Sequence, residues 1–378
     1  MSTSMPSATT HPIPSTMRAV LLTGYGGLDK LEYRSDVPVP RPAAGEVLIA
    51  VEACGVNNTD INTRTGWYAP DVRIGTTVEL GLHGVDRAGE VAGTWGGAAL
   101  SFPRIQGADP AGRIVAVGAA VDPSRIGERV IVDGWIRDPD DPGNLDKVQY
   151  LGSERDGGFA EYVAVPARNA CKVDCGLSST ELASFQCSYA TAEQMLTRTR
   201  VSAGETLLVT GASGGVGSAL VQLARRRKAH IIALVQPSKA TAVRALGADL
   251  CISRDSPDLA GEVRSALRGG SVDVVTDVVG GRSFPHLIDL LGRGGRYVTS
   301  GAIAGPIAEV DLRLLYNKDL ELHGSSVTWP ETFARLVGYI ERGEVKPLLA
   351  KTYALRDLRE AQRDFLAKRH VGKLVITV

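Results

Sequence analysis

Residues 206–227, TLLVTGASGGVGSALVQLARRR, constrain this chain more than any other stretch. An apolar run that reads as a buried strand passes through Gly211-Ala212-Ser213-Gly214-Gly215-Val216-Gly217 and straight into a helix pattern. In a strand–glycine–helix unit of this kind Gly214 lets the backbone approach a pyrophosphate and Gly217 lets helix and strand pack closely. The helix N-terminus adds free N–H groups and the positive end of its dipole. Ser213, Gly215 and Val216 complete the loop, and Ala212 stands where the usual pattern has its first glycine. A glycine pattern alone would fit a tight turn as well, but placed between strand and helix it reads as a dinucleotide site.

Such a unit needs neighbours. From about Ser178 onward the chain alternates helix and short apolar strand: TELASFQCSYATAEQMLTRT is helical, while HIIALV, LCIS, DVVTDVVG and GRYVTSG read as strands. That alternation predicts a doubly wound parallel sheet. The second strand ends at Gln236, about 20 residues past the fingerprint, where an NAD enzyme places an acid against the ribose 2′-hydroxyl. Gln236 is no acid, and it is followed by Ser238 and Lys239, with Arg244 and Arg254 further on. A hydroxyl and cations suit a 2′-phosphate through charge-assisted hydrogen bonds, so the sequence predicts NADPH rather than NADH. The plainer alternative for Lys239 and Arg244 is a solvated helix face.

The N-terminal half has a different rhythm. MRAVLLT, EVLIAVEA, GRIVAVG, ERVIVDG and AEYVAV are short strands punctuated by Gly and Pro, as in a compact, largely antiparallel β domain. Two long interruptions, 69–106 and 136–156, are of a length that is usually functional or mobile. Residues 1–16 read as a disordered tail with neither the basic nor the apolar part of a signal peptide. Lys+Arg and Asp+Glu both number 42, which gives no field to draw nucleic acid or an anionic membrane, and no apolar run approaches the ~20 residues of a bilayer span. The five scattered Cys form no disulfide framework and no zinc knuckle, which fits a reducing cytoplasm.

VEACGVNNTDIN, GADPAGRIVAVG, GERV, RDGGFAEYVAVP, GASGGVGSA and the closing GKLVI together resemble the medium-chain dehydrogenase/reductase superfamily over about 17–378. The resemblance implies an α/β protein: a GroES-like β-rich catalytic domain, 17–169 with 316–378, and a Rossmann doubly wound parallel-sheet domain, 170–315. It also implies a homodimer. The superfamily's zinc alcohol dehydrogenases carry Cys where this chain has Asn57, His at Asn62, and His-Glu at Ala108-Asp109; Cys187 alone falls at a further ligand position. One thiolate with amides cannot hold zinc, so no metal is expected, and residues 133–156 have no Cys for a structural zinc lobe. The Cys are read as packing residues.

With Asn57 in the Cys position, GVNNTDINTRTGWY is similar to the quinone oxidoreductase and enoyl reductase branches, in which an Asn and a Tyr border the nicotinamide. That resemblance implies zinc-independent hydride transfer from NADPH to a small, apolar or aromatic enone or quinone. Tyr68 is the candidate proton donor and Asn57 the orienting group, while Thr191, Gly301 and Lys373 match cofactor-contacting positions. Asp60 reads as a cap or turn residue before an acid/base, and Arg64 as a substrate anchor or a surface charge. Trp67, Trp95 and Phe102 either line a substrate pocket or anchor the insertion, and His83 is the histidine to watch. The alternatives are a carbonyl or alcohol dehydrogenase of the same superfamily and a non-catalytic NADPH-binding protein.

Overall fold

The computed structural model describes residues 12–85 and 100–378. Among them, the Glu46–Gly55 strand is the hub of the first domain, buried along most of its length as its run of Val, Leu, Ile and Ala dictates. One edge pairs antiparallel with Asp109–Val117. The other edge is shared by Tyr162–Pro166 along its first half and by the closing strand Lys373–Thr377 along its second. The sheet continues outward through Arg129–Val132 to Ala170–Lys172 on one side and to Leu349–Ala354 on the other. Ile49, Ile114, Phe159 and Leu374 are all at most 1% exposed in one cluster there, so apolar runs of the N-terminal half and the closing strand share a core, while Ile131 packs with the second domain's core.

The second domain is a six-stranded, wholly parallel sheet in the order Leu250–Ser253, His230–Val235, Thr206–Val209, Val272–Asp277, Leu291–Thr299, Glu321–Gly324. The order reverses at Thr206–Val209, and a parallel sheet takes its ligand in the crevice at that switch point. The Gly215–Arg226 helix starts there. It packs so tightly on the preceding loop that a Cβ on Gly217 would lie 2.2 Å from the Gly211 carbonyl oxygen, so only glycine fits.

The domain boundaries lie elsewhere than the sequence suggests. Residues 170–172 pair with Arg129–Val132 and belong to the first sheet. Residues 321–324 pair with Leu291–Thr299, and the Pro330–Glu341 helix packs on Gln186–Arg198, so both belong to the second domain. The chain returns to the first domain only at the strand Leu349–Ala354. The physical reason is hydrogen bonding: a short strand joins the sheet of its pairing partner, which local composition does not record. Of the tail, residues 1–11 lie outside the described residues, and the first strand begins at Thr16. Among the described residues no helix is long and apolar enough to cross a membrane.

Candidate active site

The hub strand ends at Gly55 between two partners, Asp109 on one side and Val375 on the other. That register brings Asp109 and Lys373 to the start of the Asn58–Thr65 helix. The Asn57 side chain donates from Nδ2 to Asp109 Oδ2 at 2.8 Å, and Lys373 Nζ donates to that same carboxylate oxygen at 2.9 Å and to Asn57 Oδ1. Asn57, Asp109 and Lys373 are 6%, 0% and 3% exposed. Gly55 makes the room: a Cβ there would lie 2.3 Å from the Ala183 carbonyl oxygen and 2.8 Å from Asp109 Oδ2. The second oxygen of Asp109 accepts the Cys187 backbone N–H at 3.0 Å, which ties the Gln186–Arg198 helix to the same centre.

Asp60 caps its helix. Its Oδ2 accepts the Asn57 N–H at 2.7 Å as one half of a capping box, and burial, with Asp109 nearby, pushes its carboxyl up to about 7. Asn62 accepts from Asn58 Nδ2 at 3.1 Å and from the Thr76 hydroxyl at 2.9 Å, so its amide is a packing link. Arg64 is neither a substrate anchor nor a surface charge. It is wholly buried, donates to Gln362 Oε1, Gly26 O and Gly81 O, and is drawn down to about 10 by desolvation. A guanidinium with that many backbone and amide acceptors is a structural clamp. Trp67 packs with Ala69, Val72 and Leu80 and donates to Ile74 O, and Phe102 stacks edge-on against Tyr25; both anchor their loops. Trp95 lies outside the described residues, and His83 sits on the surface beside Glu79.

Tyr68 follows that helix, half-buried, its ring against Trp67, in a cluster on which Ala302 of the second domain also packs. Burial pushes its phenol up to about 12 against the pull of Thr59 and Asn62 hydrogen bonds, and Cys187 lies near enough to add to the rise. Thr191 comes one turn after Cys187, and Gly301 closes on Val278 across the end of the parallel sheet. The dinucleotide loop meets this centre through Lys373: a Cβ on Gly215 would lie 3.0 Å from Lys373 Cδ and 2.5 Å from Ser188 Oγ, and Gly372 N–H donates to the Ser213 carbonyl. The lysine expected among cofactor contacts therefore lays its stem along the phosphate loop and turns its ammonium to Asn57 and Asp109. Lys239 differs too. Its ammonium donates to the Lys368 and His370 carbonyls, which uses two of its three protons, while Arg254 is half-exposed nearby.

Sequence reasoning passed over Tyr150 and Ser188. Tyr150 is 5% exposed, packs with Ala108 and Trp135, and sets its hydroxyl against the Cys187 thiol. No local pattern marks it; only the pairing Trp135↔Tyr150 brings it in.

The glycine cradle and the dipole end of the Gly215–Arg226 helix fit a dinucleotide, which Gly214, Gly215, Ser213 and Gly217 would hold. Zinc does not fit. Ala108 offers no donor, the amides of Asn57 and Asn62 are engaged, Asp109 is neutralised by an ammonium, and burial pushes the Cys187 thiol up to about 12. Among the described residues no group of three His, Cys, Asp or Glu side chains could hold a metal ion.

Two family models match the chain: an alcohol dehydrogenase GroES-like domain over residues 43–175 and a zinc-binding dehydrogenase model over residues 246–376. The crystal structure of a putative alcohol dehydrogenase from Sinorhizobium meliloti is 51% identical, with 97% of each chain covered and a TM-score of 0.88. An NAD-dependent alcohol dehydrogenase of Sulfurisphaera tokodaii is 29% identical over 95% of this chain and 99% of its own. A quinone oxidoreductase of Lama guanicoe is 27% identical over 95% and 97%.

Proposed function

The chain belongs to the medium-chain dehydrogenase/reductase superfamily, and from that premise we propose that it is an NADPH-dependent, zinc-independent oxidoreductase that reduces an activated alkene, an enone, or a quinone. The observation that carries this reading is the Asn57–Asp109–Lys373 cluster, which stands where a zinc dehydrogenase needs its ligands. Without a Lewis acid, an alkoxide has no strong charge stabiliser. Charge delocalised over an enolate or a hydroquinone oxygen can be met by neutral hydrogen-bond donors.

When bound, the reduced nicotinamide supplies a hydride. The chain's own residues do the rest. Gly214, Gly215 and the helix N-terminus hold the pyrophosphate, with Ser213 and Val216 shaping the loop. Thr191 and Gly301 border the nicotinamide, Asn57 orients the substrate carbonyl or the carboxamide, and Tyr68 delivers the proton. NADPH is favoured by the absence of an acid at Gln236 and by the basic groups that converge beside it. Arg254 acts on Lys239, and Lys239 on Lys368 and His370; desolvation first and neighbouring lysine charges second draw Lys368 down to about 7 and His370 to about 4. A 2′-phosphate received by Ser238, Arg254 and the remaining Lys239 proton would relieve that repulsion.

The likeness to alcohol dehydrogenases supports a second reading, a carbonyl or alcohol dehydrogenase that uses side-chain donors in place of zinc. A homodimer is supported by the edge strand Glu321–Gly324, which among the described residues has a partner on one side only, together with the exposed Leu312, Tyr316, Leu322 and Trp329. The five free thiols suit a reducing cytoplasm. The test is NADPH oxidation against a panel of enones, quinones and aldehydes, and NADP⁺ reduction with alcohols, before and after dialysis against a chelator. Turnover of enones or quinones that survives chelation is expected. Turnover confined to alcohols and aldehydes, or activity lost on chelation and restored by zinc, would overturn the proposal.

A further inference from the structure

We propose that Tyr150 is a second catalytic residue, whose hydroxyl donates a hydrogen bond to the substrate oxygen on which negative charge builds as hydride arrives. The inference rests on the reductase reading above and assigns to it a group outside the Asn57–Tyr68 pair.

Position comes first. The two-residue strand Gln149–Tyr150 pairs with Trp135–Ile136, and the Tyr150 ring lies on the Trp135 ring with centroids 4.4 Å apart. Ala108, Val148 and Val327 complete this small apolar cluster. Ala108 is the position at which the zinc enzymes place an imidazole, and its short side chain leaves that wall of the site to the Tyr150 ring. The hydroxyl points to the interior of the site and meets the Cys187 thiol, whose own backbone N–H is held by Asp109.

The partner is what makes the hydroxyl catalytic. A thiol is a weak acceptor, so its bond to the phenol O–H is one that a stronger acceptor can replace. An enolate or quinol oxygen is a far stronger acceptor in the same dry surroundings. Exchanging one for the other strengthens the hydrogen bond as the reaction proceeds, which is the differential that accelerates a step rather than merely binding its substrate. Burial first, and the nearby Cys187 and Asp109 second, push the phenol well above its ordinary range, so it remains a neutral donor across the working pH. The same surroundings keep the Cys187 thiol protonated, so it does not add to an enone in its own right. In the balanced step the hydride forms a C–H bond at the β-carbon, the alkene π pair moves toward the carbonyl oxygen, and Tyr150 keeps its proton while bonding that oxygen. The α-carbon takes its proton from Tyr68 or from water.

The test is Tyr150→Phe, which keeps the ring on Trp135. With an enone that the wild-type enzyme reduces, kcat is expected to fall ~10²–10³-fold, the loss typical of one oxyanion donor, with the NADPH dissociation constant unchanged. The carbonyl stretch of the bound enone, read by difference Raman spectroscopy, is expected to be lowered in the wild-type protein and in Tyr68→Phe and to return toward its solution value in Tyr150→Phe. A Tyr150→Phe protein with kcat within twofold of wild type and an unmoved carbonyl stretch overturns the proposal and leaves the reductase reading standing. A wild-type protein inert to every enone and quinone overturns that reading, and this proposal with it. Should the Tyr150→Phe protein fail to fold, the Tyr68→Phe and Asn57→Ser spectra decide: a stretch lowered in both supports Tyr150, and a stretch at the solution value in either overturns it.

Discussion

Lys373 Nζ lies 2.9 Å from Asp109 Oδ2, and the two side chains, 264 residues apart in sequence, are 3% and 0% exposed. A buried ion pair gains little net stability because both charges have been taken out of water. This one is anchored further: Asn57 bonds both members, and the Cys187 N–H takes the other carboxylate oxygen. Its consequence is organisation. The cluster joins the phosphate loop, the hub strand of the first domain and the Gln186–Arg198 helix at one point, directly beside the groups assigned to chemistry.

Removing one partner should therefore cost much more than removing both. Lys373→Met leaves a buried carboxylate uncompensated and is expected to lower stability by about 3–5 kcal/mol in urea denaturation. Adding Asp109→Asn, which keeps the shape and removes the charge, should restore more than half of that loss. A single variant as stable as the double variant would show that the pair is not electrostatically coupled.

How much of this was legible depended on how local each feature is. The Gly211–Gly217 loop, the capping role of Asp60 and the substituted ligand positions Asn57, Asn62 and Ala108 all sit within short motifs. The sheet alternation after Ser178 is similarly a property of neighbouring residues. Lys373 turning to Asn57, 316 residues away, depends on the closing strand pairing with Gly55, which no local pattern encodes. Tyr150 entered by way of a two-residue strand too short to have a period. Arg64 looked polar and available because its three acceptors, at Gly26, Gly81 and Gln362, lie on three separate segments. The same applies to Lys239, whose two carbonyl partners come from the far end of the chain.

For the cofactor, Arg254→Ala and Lys239→Ala are each expected to weaken NADPH by about 10–100-fold, the range for one charge-assisted hydrogen bond of 1.5–3 kcal/mol, and to leave NADH nearly unchanged. Titration calorimetry at two salt concentrations checks both halves, since a phosphate contact also steepens the salt dependence. Equal losses for the two cofactors would remove these residues from the 2′-phosphate site.

Asp60 sets a pH window for stability. Its folded carboxyl is raised from 3.8 to about 7, chiefly by burial, so between those values the native protein holds a proton that the unfolded chain has released. Stability then falls as pH rises from about 4 to about 7 and levels off above. Asp60→Asn keeps an oxygen to accept the Asn57 N–H but cannot ionise. Denaturation midpoints of this variant should lose most of that slope; an unchanged slope would place the titration elsewhere.

Tyr68→Phe is the variant that divides the proposed chemistry from cofactor binding. Hydride arrival at an enone leaves an enolate that must be protonated, and the Tyr68 phenol, held near 12 mainly by burial, is protonated at any working pH and packs on the Trp67 cluster that Ala302 of the second domain also joins. The proposed dinucleotide grip lies elsewhere, in the 211–217 loop. Enone reduction should therefore slow by ~10²–10⁴-fold, the usual worth of positioned acid catalysis, while NADPH affinity stays within a factor of two. Because the phenol titrates so high, the wild-type rate should show no loss from its ionisation below pH 10. A Tyr68→Phe enzyme that keeps full turnover on every active substrate would exclude Tyr68 as the proton donor. Solvent would then remain as the source, with Tyr150 acting on the oxygen alone.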